Sequence, residues 1–452
     1  MPTTWPPTFR TQSRRRTKMG RYELQARDPH SSRNAFLSAC CAAGDAPRCA
    51  LDEGLGHFSR LTETRMLAYQ DATAGLLETL WARASRPELS YLERQLETCA
   101  KIVTAINTAV THQTTIDDIA NQVFQGFQVP VAEREHHRDV LRHLVFAAMG
   151  WSTLLFTPTF TQADADFSQA TRSHAVTRNS AKHTLTQSSQ RPLGAMLRSR
   201  GLMPIACPPG LTASSSQGLP TLLTVTHLNF FSLSRLGDIT ITWIDDISRH
   251  CEFDRYSPKK ELRLFRLPSL CAMLCLTGKE EMLLDQLFKF HVCMQSCRSH
   301  TETVARSYLI EILLSYRLLF GQHHRSRQLF RKHERAKVKR DGAALDPLLD
   351  ALCGDRDMAD FGGTKSLLRE RGVYNAQTNF PHLGAHLMEL QDYSTCQRPR
   401  NIREVWNDER DPERLLTFKA LVIIGALSIS LSIIQVIVGL VQIVLAAQPP
   451  AG

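Results

Sequence analysis

Four acidic residues surround a histidine in the middle of the chain: Asp245, Asp246, Glu252 and Asp254 flank His250. Carboxylates beside an imidazole can bind a metal ion or act as general acid and base. These residues fall in the connection between two expected strands, however, where charged side chains normally face solvent. The pattern therefore favours a structural role, and the alternative is an enzyme with an unfamiliar site within 239–254.

A second group combines cysteine and histidine at spacings that zinc sites use. Its members are Cys271, Cys275, His291, Cys293, Cys297 and His300. The members of each cysteine pair, Cys271 with Cys275 and Cys293 with Cys297, are four residues apart and would share one face of a helix. Structural zinc sites usually take their first pair from a tight loop, however, and free cysteine is among the most buried residue types. The spacing favours packed core thiols, so we predict no metal and no cofactor.

Catalytic motifs are absent from the sequence. The chain has no G-x-S-x-G nucleophile turn, no H-E-x-x-H zinc helix and no three-glycine dinucleotide loop. The glycine-rich run at 362–366 resembles a phosphate-binding loop only loosely, because its lysine does not directly follow a glycine. We therefore predict no catalytic residues.

A basic run occupies the end of a long helix predicted over 302–340. Its first members are Arg325, Arg327, Arg331, Lys332 and Arg335. Such a run is typical of a solvated helix end, of a surface for anionic lipid or acidic protein, or of phosphate contacts with nucleic acid. A membrane anchor makes nucleic acid the least natural partner of the three. We predict that these five residues bind an anionic partner, with a solvated face as the simplest alternative.

The C-terminal segment 420–447 contains no charged residue and consists mostly of Leu, Ile, Val and Ala. As a helix it would extend about 42 Å, against about 30 Å for the hydrocarbon core of a bilayer. Arg410, Arg414 and Lys419 precede it, and no basic residue follows it. This asymmetry predicts a single-pass, tail-anchored protein with its N-terminal part in the cytosol. The target organelle is not specified by the sequence.

Small and amide side chains recur along that segment at alternating spacings of three and four. They are Gly425, Ser428, Ser432, Gln435, Gly439 and Gln442, followed by Ala446. A heptad spacing places them on one helix face, where small residues permit close approach and glutamine gains a partner across the interface. The stripe 425–446 therefore predicts a homo-oligomer or docking onto another membrane helix. The alternative is that small residues are simply common in membrane helices.

The remaining sequence predicts a mainly α fold. Its 452 residues carry a net charge of +10, and its 12 cysteines follow no secretory signal, so we expect reduced thiols. A helical cytosolic region with a small β-hairpin, formed by the apolar alternation in 239–243 and 262–266, precedes the transmembrane helix. The predicted divisions are a disordered basic arm (1–50), a helical bundle (51–157), a loop or linker (158–218), a helix-hairpin-helix block (219–345), short helices and loops (346–415) and the transmembrane anchor (418–447).

Five blocks of the chain resemble those of an uncharacterised family of membrane-anchored proteins from filamentous fungi. They are RHLVFAAMGW (142–151), ITWIDDISRHCEFD (241–254), ELRLFRLPSLCAML (261–274), EILLSYRLLFGQHHRSRQLF (311–330) and RPRNIREVWNDERDP (398–412). The resemblance covers roughly 61–447 and implies a membrane anchor but no assigned activity. We predict an interaction or scaffold module on the lipid bilayer, whose cytosolic protein partner the sequence does not identify.

Overall fold

The computed structural model describes residues 30–41, 51–82, 88–109, 113–159, 168–169, 185–203, 222–276, 283–292, 304–340, 345–354, 361, 363–399, 401–408, 410 and 412–446. Within these ranges the chain is mainly helical, as predicted, with three two-stranded sheets. A single long apolar helix forms the C-terminal end of the described structure. The predicted fold class is therefore confirmed, apart from the pairing of its middle strands.

The N-terminal helices are α1 (His30–Cys41), α2 (Leu51–Leu67), α3 (Gln70–Trp81), α4 (Tyr91–Thr108), α5 (Ile116–Gly126) and α6 (Val131–Thr153). The middle of the chain contains β1 (Pro158–Thr159), β2 (Ser168–Gln169), α7 (Leu185–Ser189), α8 (Leu193–Ser199), β3 (Leu222–Thr224), α9 (Val225–Leu228), α10 (Phe230–Arg235), β4 (Thr240–Ile244), β5 (Glu261–Phe265), α11 (Pro268–Leu276), α12 (Leu283–Val292) and α13 (Val304–Tyr316). The last part contains α14 (His324–Leu329), α15 (Arg335–Arg340), α16 (Pro347–Cys353), α17 (Thr364–Leu367), β6 (Val373–Asn375), α18 (Ala376–Asn379), α19 (Gly384–Cys396), α20 (Ile402–Asn407) and α21 (Pro412–Ala446).

Local hydrogen bonding sets the starts of α4 and α5. The hydroxyls of Ser90 and Thr115 accept from the backbone N–H of Glu93 and Asp118, and each carboxylate accepts from the backbone N–H of its cap residue. Both are capping boxes, which satisfy helix N–H groups that otherwise lack partners.

The predicted disordered arm contains a helix. Helix α1 lies within 1–50 and packs along α4, with Phe36 almost fully buried. Its Arg33 donates to Glu63 of α2 at 2.6 Å. This helix was not predicted because most of its side chains are small or polar, and its larger apolar side chains are few: Phe36, Leu37 and Cys40 pack against the core. Residues 1–29 and 42–50 lie outside the described residues.

The predicted β-hairpin is wrong in its direction. Strands β4 and β5 pair in parallel, from Thr240 opposite Glu261 to Ile244 opposite Phe265. The chain leaves β4, makes a 3-10 turn at Ile247–Arg249 and then runs antiparallel to the other edge of β5, where Phe253 bridges Leu262. The connection 245–260 exceeds the dozen or so residues that a parallel crossover needs. Alternation of apolar residues defines strand faces but carries no information about direction.

The long helix predicted over 302–340 is interrupted. After α13, π-helical turns at Arg317–Gly321 and Phe330–Glu334 flank α14, and the chain breaks at His323. The His323 ring accepts from the Ser326 backbone N–H and so caps α14. The break brings the rings of Phe320 and Phe330 within 5.6 Å of each other and against Trp243 of β4. The packing of these three aromatic rings therefore favours the break at His323 over a continuous helix.

One hydrophobic cluster runs from Phe36 to Leu390 among the described residues. Helix α2 connects the first helices to the middle of the chain because it contacts both α11 and α16. The contact with α11 is close: a Cβ on Gly54 would lie 2.2 Å from the Cβ of Ser269. The helices of 51–157 and the block of 219–345 therefore share a core.

Substitution of Gly54 by alanine is expected to destabilise the protein by about 1–3 kcal/mol, because the new methyl group must push α2 and α11 apart. The matched control is Gly56→Ala in the same helix, where a Cβ meets nothing within 4 Å. This control is expected to stabilise by about 0.4–1 kcal/mol. Urea unfolding of the full-length protein in nonionic detergent, followed by tryptophan fluorescence, measures both. Equal effects at the two positions would contradict the close α2–α11 contact.

Candidate functional site

One helix in the described part of the chain is long and apolar enough to cross a membrane. It is the stretch Leu415–Ile443 of α21, with 29 residues, a mean hydropathy of 2.6 and none of its most apolar window buried in the protein. At 1.5 Å per residue it measures about 43 Å, so tilt accommodates its surplus over a bilayer core of about 30 Å. The helix needs an apolar surrounding that the rest of the described protein does not supply.

The small-residue stripe lies along this helix and is open. A Cβ on Gly425 or Gly439 would meet nothing within 4 Å. The hydroxyls of Ser428 and Ser432 donate to carbonyl oxygens one turn earlier, at 2.9 Å each. Because these hydroxyls are satisfied within the helix, they add little polarity to the stripe.

An aromatic and cationic cluster joins α20 to the membrane helix. The ring of Trp406 meets that of Phe418 edge-on at 6.2 Å, and the ammonium of Lys419 lies 5.6 Å above the indole. Trp406 and Ile402, one turn apart on α20, are 41% and 76% exposed. Tryptophan and lysine beside a span are typical of the bilayer headgroup region. Trp406 was not singled out from the sequence, although the Ile402/Trp406 pair just before a charge-free run was the available signal.

Arg410 ties the helical body to the membrane helix. Its guanidinium donates to the carbonyl oxygens of Ser394 and Gln397 at the end of α19, the latter at 2.9 Å. It also contacts the Asp408 carboxylate at 2.8 Å. Burial pushes the pKa of Asp408 upward, but the hydrogen bonds and charge of Arg410 outweigh it and hold that pKa below its ordinary value. The body is therefore clamped close to the start of the span.

The five basic residues predicted to bind an anionic partner have different surroundings. The Arg325 guanidinium lies 5.2 Å from the ring centre of Phe231, and Arg327 donates to the Gly321 carbonyl at 2.7 Å. Arg335 pairs with Asp350 of α16 at 3.0 Å. The remaining two, Arg331 and Lys332, are exposed. The fold thus uses Arg327 and Arg335 in internal contacts.

The acidic residues at 245–246 make structural ion pairs. Asp245 binds the Arg266 guanidinium through both oxygens and lies 3.3 Å from Arg65 of α2. Asp246 accepts a hydrogen bond from the Thr157 hydroxyl. Burial raises the pKa of Asp246, against the opposing effects of Thr157 and Arg65. These two carboxylates fasten the β4–β5 connection to the first helices.

Glu252 and Asp254 are also engaged. Glu252 lies 2.9 Å from both Arg249 and Arg263; burial alone would raise its pKa, but these two cations lower it. Asp254 accepts from the Tyr256 backbone N–H at 2.9 Å, which closes a turn. The segment 239–254 therefore presents carboxylates that already have partners.

His250 is held in a buried hydrogen-bond chain. Its Nδ1 accepts from the Phe265 backbone N–H at 3.1 Å, so Nε2 carries the proton and donates to the Ser315 hydroxyl at 2.7 Å. Ser315 in turn donates to the Ile312 carbonyl at 2.7 Å. Burial lowers the pKa of His250 to about 3, so the ring is neutral near pH 7. Because both ring nitrogens of His250 already make hydrogen bonds, the ring holds the end of β5 at Phe265 in place and is not available as a proton acceptor.

A second buried histidine pairs with a carboxylate that the sequence did not reveal. Glu311 of α13 contacts the His382 Nδ1 at 2.5 Å and accepts from the backbone N–H groups of His382 and Leu383 at 2.9 and 2.8 Å. The Tyr308 ring meets the imidazole edge-on, with 5.6 Å between the ring centroids. Because Glu311 satisfies N–H groups just before α19, it acts as a remote cap for that helix. The sequence pattern does not indicate the pairing of Glu311 with His382, because the two residues are 71 positions apart.

The predicted cysteine group is only partly described. Cys271 and Cys275 are buried in α11, and burial raises the pKa of the Cys271 thiol well above its ordinary value. A raised pKa lowers the fraction of thiolate, which is the form that binds metals and reacts with oxidants. Cys293, Cys297 and His300 lie outside the described residues. No cluster of three metal-ligating side chains occurs in the portion of the chain that is described.

No protein-family model, curated protein or solved structure matches the chain. The geometry itself therefore has to define the class of protein. It combines one exposed apolar helix of membrane-spanning length with a helical body in which His250, Glu311 and the carboxylates of 245–254 make internal hydrogen bonds and ion pairs.

Proposed function

We propose that this protein is a single-pass, tail-anchored membrane protein whose helical body acts as an interaction or scaffold module at the cytosolic surface. The observation that carries the proposal is the complete exposure of the apolar window in Leu415–Ile443. An apolar patch of this size on a water-soluble surface would be strongly unfavourable, whereas a bilayer solvates it. Family membership with the fungal proteins named above stays a prediction.

The proposed orientation follows from the charges around the span. Arg410, Arg414 and Lys419 stand on its N-terminal side, and no basic residue stands at 444–452. Positive residues near a span are retained in the cytosol. Lys419, held against Trp406 at the start of the helix, is well placed for anionic headgroups of the cytosolic leaflet.

The orientation is tested with a glycosylation acceptor tag appended after Gly452 and the full-length chain inserted into microsomes. We expect the tag to be glycosylated and the helical body to be digested by protease added outside. The control carries the same tag at the N-terminus and is expected to stay unglycosylated. A glycosylated N-terminal tag would overturn the cytosolic orientation.

The open stripe supports a partner helix, either from a second copy or from another membrane protein. Small residues on one face let helix backbones approach, and the amides of Gln435 and Gln442 gain hydrogen bonds across the interface. The basic surface at Arg331 and Lys332 supports a further contact with anionic lipid or an acidic protein. These contacts give the anchored body its proposed scaffold role.

Replacement of Ser432 by leucine is expected to weaken self-association about tenfold, because the larger side chain prevents the close approach of the two helices. Ser430→Leu is the matched control, since Ser430 makes the same hydrogen bond one turn back at 2.9 Å but lies off the stripe. Energy transfer between donor- and acceptor-labelled full-length protein in lipid vesicles measures the association. An equal loss of energy transfer in both variants would argue against the stripe as the interface. An absence of energy transfer in the unmodified protein would argue against self-association and favour docking onto a helix of another membrane protein.

A further inference from the structure

A cavity of about 560 Å³ lies between α10 and α20, and its wall includes Arg235, Asp238, Asn401 and Glu404. The wall carries charges of both signs, and the Asn401 amide already donates to the Glu404 carboxylate at 3.4 Å. The cavity therefore does not select one class of ligand. An exposed turn elsewhere in the body carries a more specific chemistry.

This turn, residues 254–260, leads into β5 and contains a serine followed by proline and two lysines. It forms neither helix nor strand. Tyr256 is 87% exposed, and Pro258 and Lys259 are exposed as well. The Ser257 side chain is half-buried, and its hydroxyl makes no hydrogen bond with any residue that the structure describes. That hydroxyl is therefore available to accept a transferred group.

The contacts that hold the turn closed are local. The Asp254 carboxylate accepts from the backbone N–H groups of Tyr256 and Ser257 at 2.9 and 3.2 Å. The Lys260 ammonium donates to the carbonyl oxygens of Arg255 and Ser257, the latter at 2.7 Å. Because these bonds all lie within the turn, it can open without unpacking the buried cluster. Local opening of this kind lets a surface segment enter the cleft of an enzyme.

The sequence contains one other serine or threonine followed by proline, Thr157–Pro158. The Thr157 hydroxyl donates to the Asp246 carboxylate and accepts from the Arg65 guanidinium at 2.8 Å. Pro158 is buried and begins β1. Thr157 is thus committed to structural hydrogen bonds, and the fold leaves only Ser257 of these two hydroxyls accessible.

The residues after Ser257 suit an enzyme that recognises proline and then cations. Proline donates no backbone N–H, so a pocket without an acceptor at that point accepts Pro258 and disfavours other residues. Lys259 and Lys260 can pair with acidic groups of the enzyme. Kinases use charge patterns of this kind to choose their substrates.

We propose that Ser257 is a phosphorylation site for a proline-directed serine/threonine kinase. In the transfer, the Oγ of Ser257 forms a bond to the γ-phosphorus of magnesium-bound ATP while the bond from that phosphorus to the bridging oxygen of ADP breaks. The hydroxyl proton passes to a carboxylate base of the kinase, and ADP leaves with the electron pair of the broken bond.

The phosphate changes the charge of the turn. Arg255, Lys259 and Lys260 outnumber the single carboxylate of Asp254 in 254–260, and a phosphoserine adds a charge of about −1.5 to −2. A cationic turn therefore becomes a nearly neutral one. The Lys260 ammonium, which already contacts the Ser257 carbonyl, is placed to donate to the phosphate. The inference rests on the proposed cytosolic location of the body, where kinases and ATP are present.

The test incubates purified full-length protein in nonionic detergent with a cyclin-dependent kinase and ATP labelled at the γ-phosphorus, and mass spectrometry locates the phosphate. We expect phosphate at Ser257 and its loss in Ser257→Ala. Pro258→Ala keeps the hydroxyl and is expected to be labelled about tenfold more slowly, because the new N–H lacks an acceptor in the kinase. The matched control is Ser248→Ala, which is expected to be labelled normally: Ser248 is a half-buried serine of the same β4–β5 connection, but Arg249 follows it.

Absence of label in the unmodified chain, phosphate on Thr157 or Tyr256 in place of Ser257, or unchanged labelling of Pro258→Ala would each overturn the proposed site. These outcomes leave the proposed membrane anchor standing. A second arm adds the kinase to intact microsomes that contain the inserted full-length chain, and we expect labelling without detergent. Labelling only after detergent opens the microsomes would overturn the cytosolic location and, with it, the access of a cytosolic kinase to Ser257.

Discussion

Ending the chain at Thr417 is expected to convert the protein from one that resists carbonate extraction into one found almost wholly in the soluble fraction. Each Leu, Ile or Val at the centre of a span favours insertion by about 0.3–0.6 kcal/mol, and these residues dominate Leu415–Ile443. The truncation removes residues 418–443 of this segment and no residue of the buried cluster, which ends at Leu390. The shortened body is therefore expected to keep its packed core. Carbonate extraction followed by sedimentation and immunoblotting measures the change.

The matched control for this truncation ends at Ile443 and keeps the whole span. It is expected to sediment with membranes as the full-length chain does, which assigns retention to the apolar helix rather than to the last residues. If carbonate extracts the full-length protein from the membrane, α21 is covered by something other than lipid. That result would contradict the proposed membrane anchor. Aggregation of the Thr417 form is distinguished from membrane retention by flotation on a density gradient.

Replacement of Glu311 by alanine is expected to cost about 3–5 kcal/mol of unfolding free energy. The Glu311 side chain is 2% exposed, and its loss leaves the Nδ1 of His382 and the backbone N–H groups of His382 and Leu383 without an acceptor in the core. An unsatisfied buried donor costs about 1–3 kcal/mol, so three of them account for a loss of this size. Urea unfolding in nonionic detergent, followed by tryptophan fluorescence, measures it.

Two controls sharpen this experiment. Glu311→Gln keeps a carbonyl acceptor and is expected to lose less than half as much, because only the charge and one acceptor oxygen are removed. Glu135→Ala removes a carboxylate whose side chain is 71% exposed and is expected to change stability by no more than about 0.5 kcal/mol. A Glu311→Ala protein as stable as the Glu135→Ala protein would show that Glu311 does not cap α19.

Patterns within a few residues were predictable. The capping box at Thr115 involves atoms only three residues apart, and the apolar run before residue 447 needs no knowledge of the rest of the chain. The short helix α1 and the break at His323 were missed because distant aromatic and apolar partners stabilise them: Phe36 packs into the shared core, and Phe320 and Phe330 pack on Trp243. Tertiary contacts of this kind override local periodicity.

The candidate sites divide in the same way. Spacing alone defined the stripe from Gly425 to Gln442, because an uninterrupted helix converts spacing directly into a face. The same spacing argument gave no information about the cavity, whose wall joins Asp238 to Glu404, or about the pairing of Glu311 with His382. Both bring together residues that are remote in the sequence.

The amino-acid sequence by itself determined the membrane helix, the mainly α class and the heptad stripe, because these depend on runs of neighbouring residues and on the regular turn of a helix. Only the tertiary structure decided the parallel direction of β4 and β5, the internal partners of the acidic residues around His250 and the cavity between α10 and α20. The physical reason is that loop closure and side-chain packing select among many pairings of distant segments that local pattern leaves equally open.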